Sequence, residues 1–273
     1  MKLFARGPAD SRDRELSWLD WSVLRDMSPD GRRILFDETG AAVGTKYGVY
    51  MRNIDGSPAV RLGDGVGGTF SPDGTAVVAV RTENPPLQLF LYPTGAGSIR
   101  QLTHDAINHG SPVWMPDGRG VVFRGGPLGA PARLYLQPLD GGAPRPITPP
   151  GIAGNPFISP DGRWAFIRGP DGIATLYPIK GGAEVKLPEI TSATLATGWG
   201  ADSKSLVYTK RGVNPAPVFR LDLATRKSQP IREVVTPEMI FGVNSMRFSR
   251  DGKTYAYCLI VGAADLYLLE NVK

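Results

Sequence analysis

The sequence predicts an all-β protein, a six-bladed β-propeller built of four-stranded antiparallel blades. Three observations carry this prediction. First, one turn phrase recurs along the chain. Ser28-Pro29-Asp30-Gly31, Ser71-Pro72-Asp73-Gly74, Met115-Pro116-Asp117-Gly118 and Ser159-Pro160-Asp161-Gly162 are followed by two degraded copies, Ala201-Asp202-Ser203 and Ser249-Arg250-Asp251-Gly252. Successive copies lie 41 to 49 residues apart, a period that marks a propeller with one blade per repeat. Second, the runs between the turns are short and alternate with period two, and no segment holds a helical period over three turns. Third, many of the 34 glycines and 25 prolines recur at fixed phase within the repeats, so they act as turn residues and not as low complexity.

The third repeat shows how one phrase makes a blade. Ser111-Pro112-Val113-Trp114 is a short extended run that ends in the turn at Asp117 and Gly118. Proline presets φ at the second turn position, aspartate bonds the backbone beyond it, and glycine accepts positive φ. Gly120-Val121-Val122-Phe123 returns as a half-buried strand rich in β-branched and aromatic residues. Arg133-Leu134-Tyr135-Leu136-Gln137 alternates as a third strand, Asp140-Gly141-Gly142 turns the chain, and Arg145-Pro146-Ile147-Thr148 forms the outer edge, where proline is tolerated. The same reading places third strands at Gly48–Arg52, Gln88–Tyr92, Thr175–Pro178, Val218–Leu221 and Asp265–Leu269. The structural turns are thus Asp30 and Gly31, Asp73 and Gly74, Asp117 and Gly118, Asp161 and Gly162, and Asp251 and Gly252.

Residues 1–14 read as an N-terminal extension and 15–273 as a single propeller. The sixth repeat stops after its third strand, Asp265–Leu269, while the run Glu15–Asp20 is an orphan. Pairing between the two is expected to close the ring and cover an exposed edge. The fifth repeat departs most: Ser203 stands where the other turns carry glycine, at a cost of about 1 kcal/mol for a left-handed backbone. That blade is expected to be the loosest.

Hydrophobic residues make up 41% of the 273, which is enough for a core. The formal charge of +5 is scattered over Arg32-Arg33, Lys210-Arg211 and Arg226-Lys227, with no basic stripe interleaved by aromatics, so nucleic acid is not an expected partner. Cys258, the single cysteine, rules out an intramolecular disulfide and a cysteine metal cluster. No apolar window reaches 18 residues and the first eight residues lack the core of an export signal. As written, the chain reads as soluble and cytoplasmic.

Chemistry is sparse. Gly63-Asp64-Gly65-Val66-Gly67-Gly68 fits G-x-G-x-x-G, but it joins two strands with no helix following and reads as an inter-blade loop. G-x-S-x-G is absent. His104 and His109 are the only histidines, which leaves a histidine-based triad or metal site few options. One aspartate per blade cannot converge on a calcium ion, which needs six to eight oxygens. No cofactor and no metal are expected, and the chain reads as a non-enzyme that binds a protein or peptide. Propeller geometry puts the ligand at the mouth of the axial channel, where Asn108, His109, Asn155 and Asn244 begin the innermost strands. Trp18, Trp21, Trp114, Trp164 and Trp199, with Asp265, are assigned to packing within and between blades.

The phrase apolar-x-apolar-Ser-Pro-Asp-Gly, a hydrophobic strand, then Leu-Tyr and an Asp-Gly turn resembles the WD40-like (PD40) repeat of TolB-type propellers. A narrower resemblance covers nearly the whole chain. Glu15–Ser22, Lys46–Tyr50, Asp55–Gly63, Leu102–Asp105 and Asp265–Leu268 are similar to the C-terminal propeller regions of bacterial transmembrane serine/threonine kinases. That resemblance implies an extracytoplasmic sensor or scaffold that binds partners, detached here from its kinase. The kinase activity does not carry over, because the glycine-rich nucleotide loop, His-Arg-Asp and Asp-Phe-Gly are missing. Two alternatives stand beside it: the gating propeller of a prolyl-oligopeptidase-like hydrolase without its catalytic domain, and a TolB-like periplasmic assembly protein.

Overall fold

A computed structural model describes residues 1–40, 44–236 and 240–261. These form six four-stranded antiparallel sheets. From the innermost strand outward, the first blade is Val23–Met27, Arg33–Gly40, Gly44–Asn53 and Val60–Asp64. The second is Val66–Phe70, Ala76–Arg81, Gln88–Pro93 and Arg100–Gln101, and the third is Asn108–Trp114, Gly120–Gly126, Arg133–Pro138 and Arg145–Pro146. The fourth is Ala153–Ile158, Trp164–Arg168, Ala174–Pro178 and Val185–Lys186, and the fifth is Thr194–Trp199, Ser205–Lys210, Ala216–Asp222 and Ser228–Val234. Each innermost strand touches the next around the ring, and Ile240–Phe248 of the sixth blade touches Val23–Met27 of the first. The ring closes with six blades.

Closure uses the N-terminus, by a different pairing from the expected one. Lys2–Arg6 lies antiparallel to Tyr255–Val261 as the third strand of the sixth blade, and Arg14–Glu15 is its outer strand. The propeller therefore begins at residue 2, and residues 1–14 are not an extension to it. Burial explains the choice. Leu3, Phe4 and Ala5 are buried, Phe4 stacks on Tyr257, and the hydroxyls of Tyr255 and Tyr257 both donate to the Asp13 carboxylate. Of the run Glu15–Asp20 only Glu15 lies in the sheet, in that outer strand: Leu16 is buried and its N–H donates to Leu3 O, after which the chain crosses to the first blade. The expected strand Asp265–Leu269 lies outside the described residues.

The turn phrase is built as its residues dictate. In the first turn Gly31 N–H donates to Ser28 O, while Asp30 Oδ1 accepts from the Ser28 hydroxyl and the Arg32 amide. The pattern repeats at Asp73, Asp161 and Asp251. In the fifth turn Ser203 takes φ 59°, as the missing glycine requires, and its hydroxyl accepts from Asp161 N–H of the fourth blade at 3.0 Å. The strained residue thus ties two blades together.

Apolar side chains gather in six clusters among the described residues, one at each blade interface. Between the first and second blades, for example, Leu35, Val49 and Met51 meet Phe70, Val77 and Tyr92. The glycine-rich run of residues 63–68, expected as a loop, is the end of one strand and the start of the next, meeting at Gly65, and its glycines permit close approach. A Cβ on Gly65 would stand 2.1 Å from Val80 O, and one on Gly68 would stand 2.2 Å from Pro112 O. Among the described residues no helix is long and apolar enough to cross a membrane.

Candidate functional site in the axial channel

The innermost strands of all six blades line an axial cavity of about 410 Å³. Each of these strands runs into its turn, so the second residue of every turn lands on one rim of the cavity: Pro29, Pro72, Pro116, Pro160, Ala201 and Arg250. Five of the six are small and uncharged. Arg250, in the degraded sixth turn, puts an exposed guanidinium at that mouth.

The wall is asymmetric for the same reason. Counting back from the turns, the second residue before each one is Asp26, Thr69, Val113, Phe157, Gly198 and Arg247. Charge therefore concentrates where the sixth and first blades meet, and apolar side chains, with Trp114, Phe157 and Trp199, occupy the opposite side. At the charged side the Arg25 guanidinium donates through Nε to Asp37 Oδ2, and Asp37 Oδ1 accepts from Gly67 N–H at 2.8 Å. Asp26 Oδ2 accepts from Phe70 N–H at 2.9 Å. Arg247 lies over the Phe157 ring, 5.0 Å from its centroid, and donates from Nη1 to Met246 O at 2.8 Å.

Burial dominates the electrostatics. It pushes the carboxyl of Asp26 up to about 6, against the pull of the Arg247 charge and the Phe70 amide. Burial also pushes Asp37 up to about 6, against Arg25 and the Gly67 amide. Arg247 is shifted down by burial, with Asp26 opposing the shift. On the apolar side, Trp199 Nε1 donates to Phe157 O at 3.0 Å, whereas the buried Nε1 of Trp114 finds no acceptor among the described residues. No group of three or more His, Cys, Asp or Glu side chains converges as a metal site among the described residues.

Of the four residues expected at the mouth, one lies in the lining. Asn155 is exposed in the cavity and accepts from the Ser111 hydroxyl at 2.8 Å. Asn108 turns away, its Oδ1 accepting from Leu87 N–H. His109 is buried: Nδ1 lies 2.8 Å from Leu87 O, the ring packs on Phe123, and Nε2 sits 3.6 Å from Asp105. Asn244 faces the sulfur atoms of Met1 and Cys258. Neither histidine belongs to the lining. Two tryptophan assignments also change, because Trp18 and Trp21 are 37% and 42% exposed on the loop into the first blade. Arg25, Asp26 and Arg247 of the lining went unread in the sequence. Their signal was their phase, two or three residues before a turn whose other copies carry apolar or small residues there.

Comparison with solved structures agrees with this architecture. TolB from Acinetobacter baumannii superimposes with a TM-score of 0.64 at 16% identity, covering 86% of this chain and 64% of that one. The fold is a TolB-like six-bladed propeller. An oligogalacturonate lyase from Vibrio parahaemolyticus matches with a TM-score of 0.58 at 18% identity, over 92% of this chain and 75% of the lyase. A puromycin-hydrolyzing peptidase of Mycobacterium tuberculosis matches with a TM-score of 0.58 at 18% identity, over 86% of this chain and 42% of the peptidase. In sequence, the chain is 26% identical over 192 residues to the uncharacterized peptidase YuxL of Bacillus subtilis (strain 168). That alignment takes in 67% of this chain and 28% of YuxL, so the chain spans well under half of its curated relative. No protein-family model matches. These relatives overturn the expectation of a non-enzyme: the sequence relative is a peptidase, and the fold is shared with a lyase and a second peptidase.

Proposed function

We propose that this propeller is the substrate-admitting part of a peptidase, receiving a peptide in its axial channel and orienting it for cleavage. The observation that carries this reading is the sequence match to a peptidase across two thirds of the chain. The channel supports it. Its volume suits a short extended peptide, its prolines and aromatic rings offer apolar contact, and its charged groups gather where the sixth and first blades meet. Peptides are the proposed ligands, and nucleic acid is not.

The test is a titration of the purified protein with short unlabelled peptides, read by the fluorescence of Trp114 and Trp199, beside an assay of peptide hydrolysis. Saturable quenching that is lost when the lining is substituted at Phe157 supports the reading. Peptides that leave the fluorescence unchanged and are not cleaved refute it.

A second reading draws on the phrases Glu15–Ser22 and Asp55–Gly63, which resemble receptor-kinase propellers: an extracytoplasmic sensor that binds a protein partner. Part of the first phrase is displayed, since Trp18, Leu19 and Trp21 are exposed. Cell fractionation separates the two. Recovery with the cytosol alone removes the sensor reading.

A further inference from the structure

The charged side of the channel carries an inference about what the channel selects, and it rests on the peptide-binding reading above. Arg25, Arg247 and Arg250 all line the cavity at the junction of the sixth and first blades. Asp26 and Asp37 face them, yet both carboxylates already accept from protein donors. Asp37 takes Arg25 Nε and the Gly67 amide, and Asp26 takes the Phe70 amide. The arginines are less occupied. Among the described residues Arg247 makes one hydrogen bond, to Met246 O, beside the charge of Asp26, and it is propped on the face of Phe157, which fixes the guanidinium without using its donors. Arg250 stands exposed at the rim, at the position where four of the other turns carry proline and the fifth alanine.

We propose that the channel reads a carboxylate on its ligand, with Arg247 as the inner anchor and Arg250 as the outer one. The carboxylate belongs to a peptide, either as its free C-terminus or as an Asp or Glu side chain. The opposite wall offers the apolar faces of Pro112, Pro156 and Trp199 to peptide side chains, with Ser111 and Asn155 beside them, and the sequence match to a peptidase favours a peptide over a polyuronate. An arginine with open donors in a partly water-excluded cavity forms a short, charge-assisted pair with a carboxylate, and a neutral amide gains much less there.

The experiment uses four probes against the whole protein, read by tryptophan fluorescence: a proline-containing tetrapeptide amide with neutral side chains, the same peptide with a free C-terminal carboxylate, the same amide bearing one glutamate, and trigalacturonate. The expected result is that at least one carboxylate-bearing peptide binds about tenfold or more tighter than the neutral amide. That preference should weaken as salt rises from about 50 to 500 mM. Which of the two peptides gains identifies the source of the carboxylate. Arg250→Ala, at an exposed position, should reduce the preference to about threefold or less. Arg247→Gln should reduce it further, and Arg247→Lys should restore part of it.

Equal affinity for neutral and charged peptides overturns the carboxylate proposal and leaves the peptide-binding reading intact. So does a charge preference that survives both arginine substitutions. Binding of trigalacturonate alone overturns both. No binding by any of the four refutes the peptide-binding reading and the inference with it.

Discussion

Asp26, on the innermost strand of the first blade, accepts a hydrogen bond of 2.9 Å from the backbone amide of Phe70 in the second. One blade further on, Thr69 at the equivalent position accepts from the amide of Trp114, also at 2.9 Å. Side chains two residues before the turn thus join blades around the channel. In the first blade that joint is a carboxylate facing Arg247 of the sixth. The same residue holds the ring together and sets the charge of the channel wall.

Asp26→Ala should destabilise the protein by about 1–3 kcal/mol in urea denaturation at pH 7, because it leaves the Phe70 amide without an acceptor. Thr69→Ala should cost less, since it removes a neutral bond. Equal and negligible effects would show that the amides find other partners.

The pH dependence follows from opposite shifts in two sets of aspartates. Burial raises Asp26 and Asp37 from an ordinary 3.8 to about 6, so between about pH 4 and 6 the folded protein holds protons that the unfolded chain has released. Stability from this source is present at low pH and is lost as pH rises toward 6. The turn aspartates act the other way. Hydrogen bonds from Ser71 and Thr75 hold Asp73 below the usual range, and those from Ser249 and Lys253 do the same for Asp251. Their contribution is present above about pH 4 and disappears as pH falls below it. Denaturation midpoints should therefore peak near pH 4–5, and Asp26→Asn should flatten the decline above the peak.

Glycine in the turns is tested most cleanly at Gly118. It takes φ 73°, and a Cβ there would meet nothing within 4 Å. Gly118→Val thus imposes backbone strain without a clash and should cost about 1–3 kcal/mol. Ser203→Gly should be nearly neutral, because relief of about 1 kcal/mol of strain is offset by loss of the hydroxyl that accepts from Asp161 N–H. A gain above about 1 kcal/mol would show that this inter-blade bond contributes nothing.

Ring closure is tested at Phe4, which is buried and stacked on Tyr257 with ring centroids 5.4 Å apart. Phe4→Ala should cost about 3–5 kcal/mol. Removing residues 1–6 should go further and expose the edge of Tyr255–Val261, giving association detectable by light scattering. A truncated protein that stays monomeric with an unchanged melting temperature would contradict this closure.

His109→Ala should destabilise the fold by about 2 kcal/mol or more, since it empties a site between Leu87 and Phe123, and should leave peptide affinity of the folded protein unchanged. A loss of affinity at full folding would return His109 to the ligand site.

The repeat was legible because its information is local. Pro, Asp and Gly at fixed spacing dictate a turn wherever they occur, and period-two alternation dictates a strand. Strands such as Arg133–Pro138 and Gln88–Pro93 accordingly fall where the pattern puts them. Of the site, Asn155 was legible from propeller geometry. Asn108, His109 and Asn244 were misplaced because the first residues of an innermost strand are as free to bond neighbouring blades as to face the channel. That choice depends on whether an acceptor such as Leu87 O stands within reach.

What the amino-acid sequence by itself determined is the blade, its turns and the number of repeats, because each follows from backbone preferences acting over a few residues. Tertiary structure alone decided which strand closes the ring and what the channel wall presents. Lys2–Arg6 takes the closing position because burial of Leu3 and Phe4 against a strand more than 240 residues away fits that site. Arg25, Asp26, Asp37 and Arg247 become one cluster only when curvature brings the sixth blade against the first. Charges so far apart in the chain acquire a common environment, and the carboxyl groups of Asp26 and Asp37 hence raised pKa values, from desolvation that exists only in the closed ring.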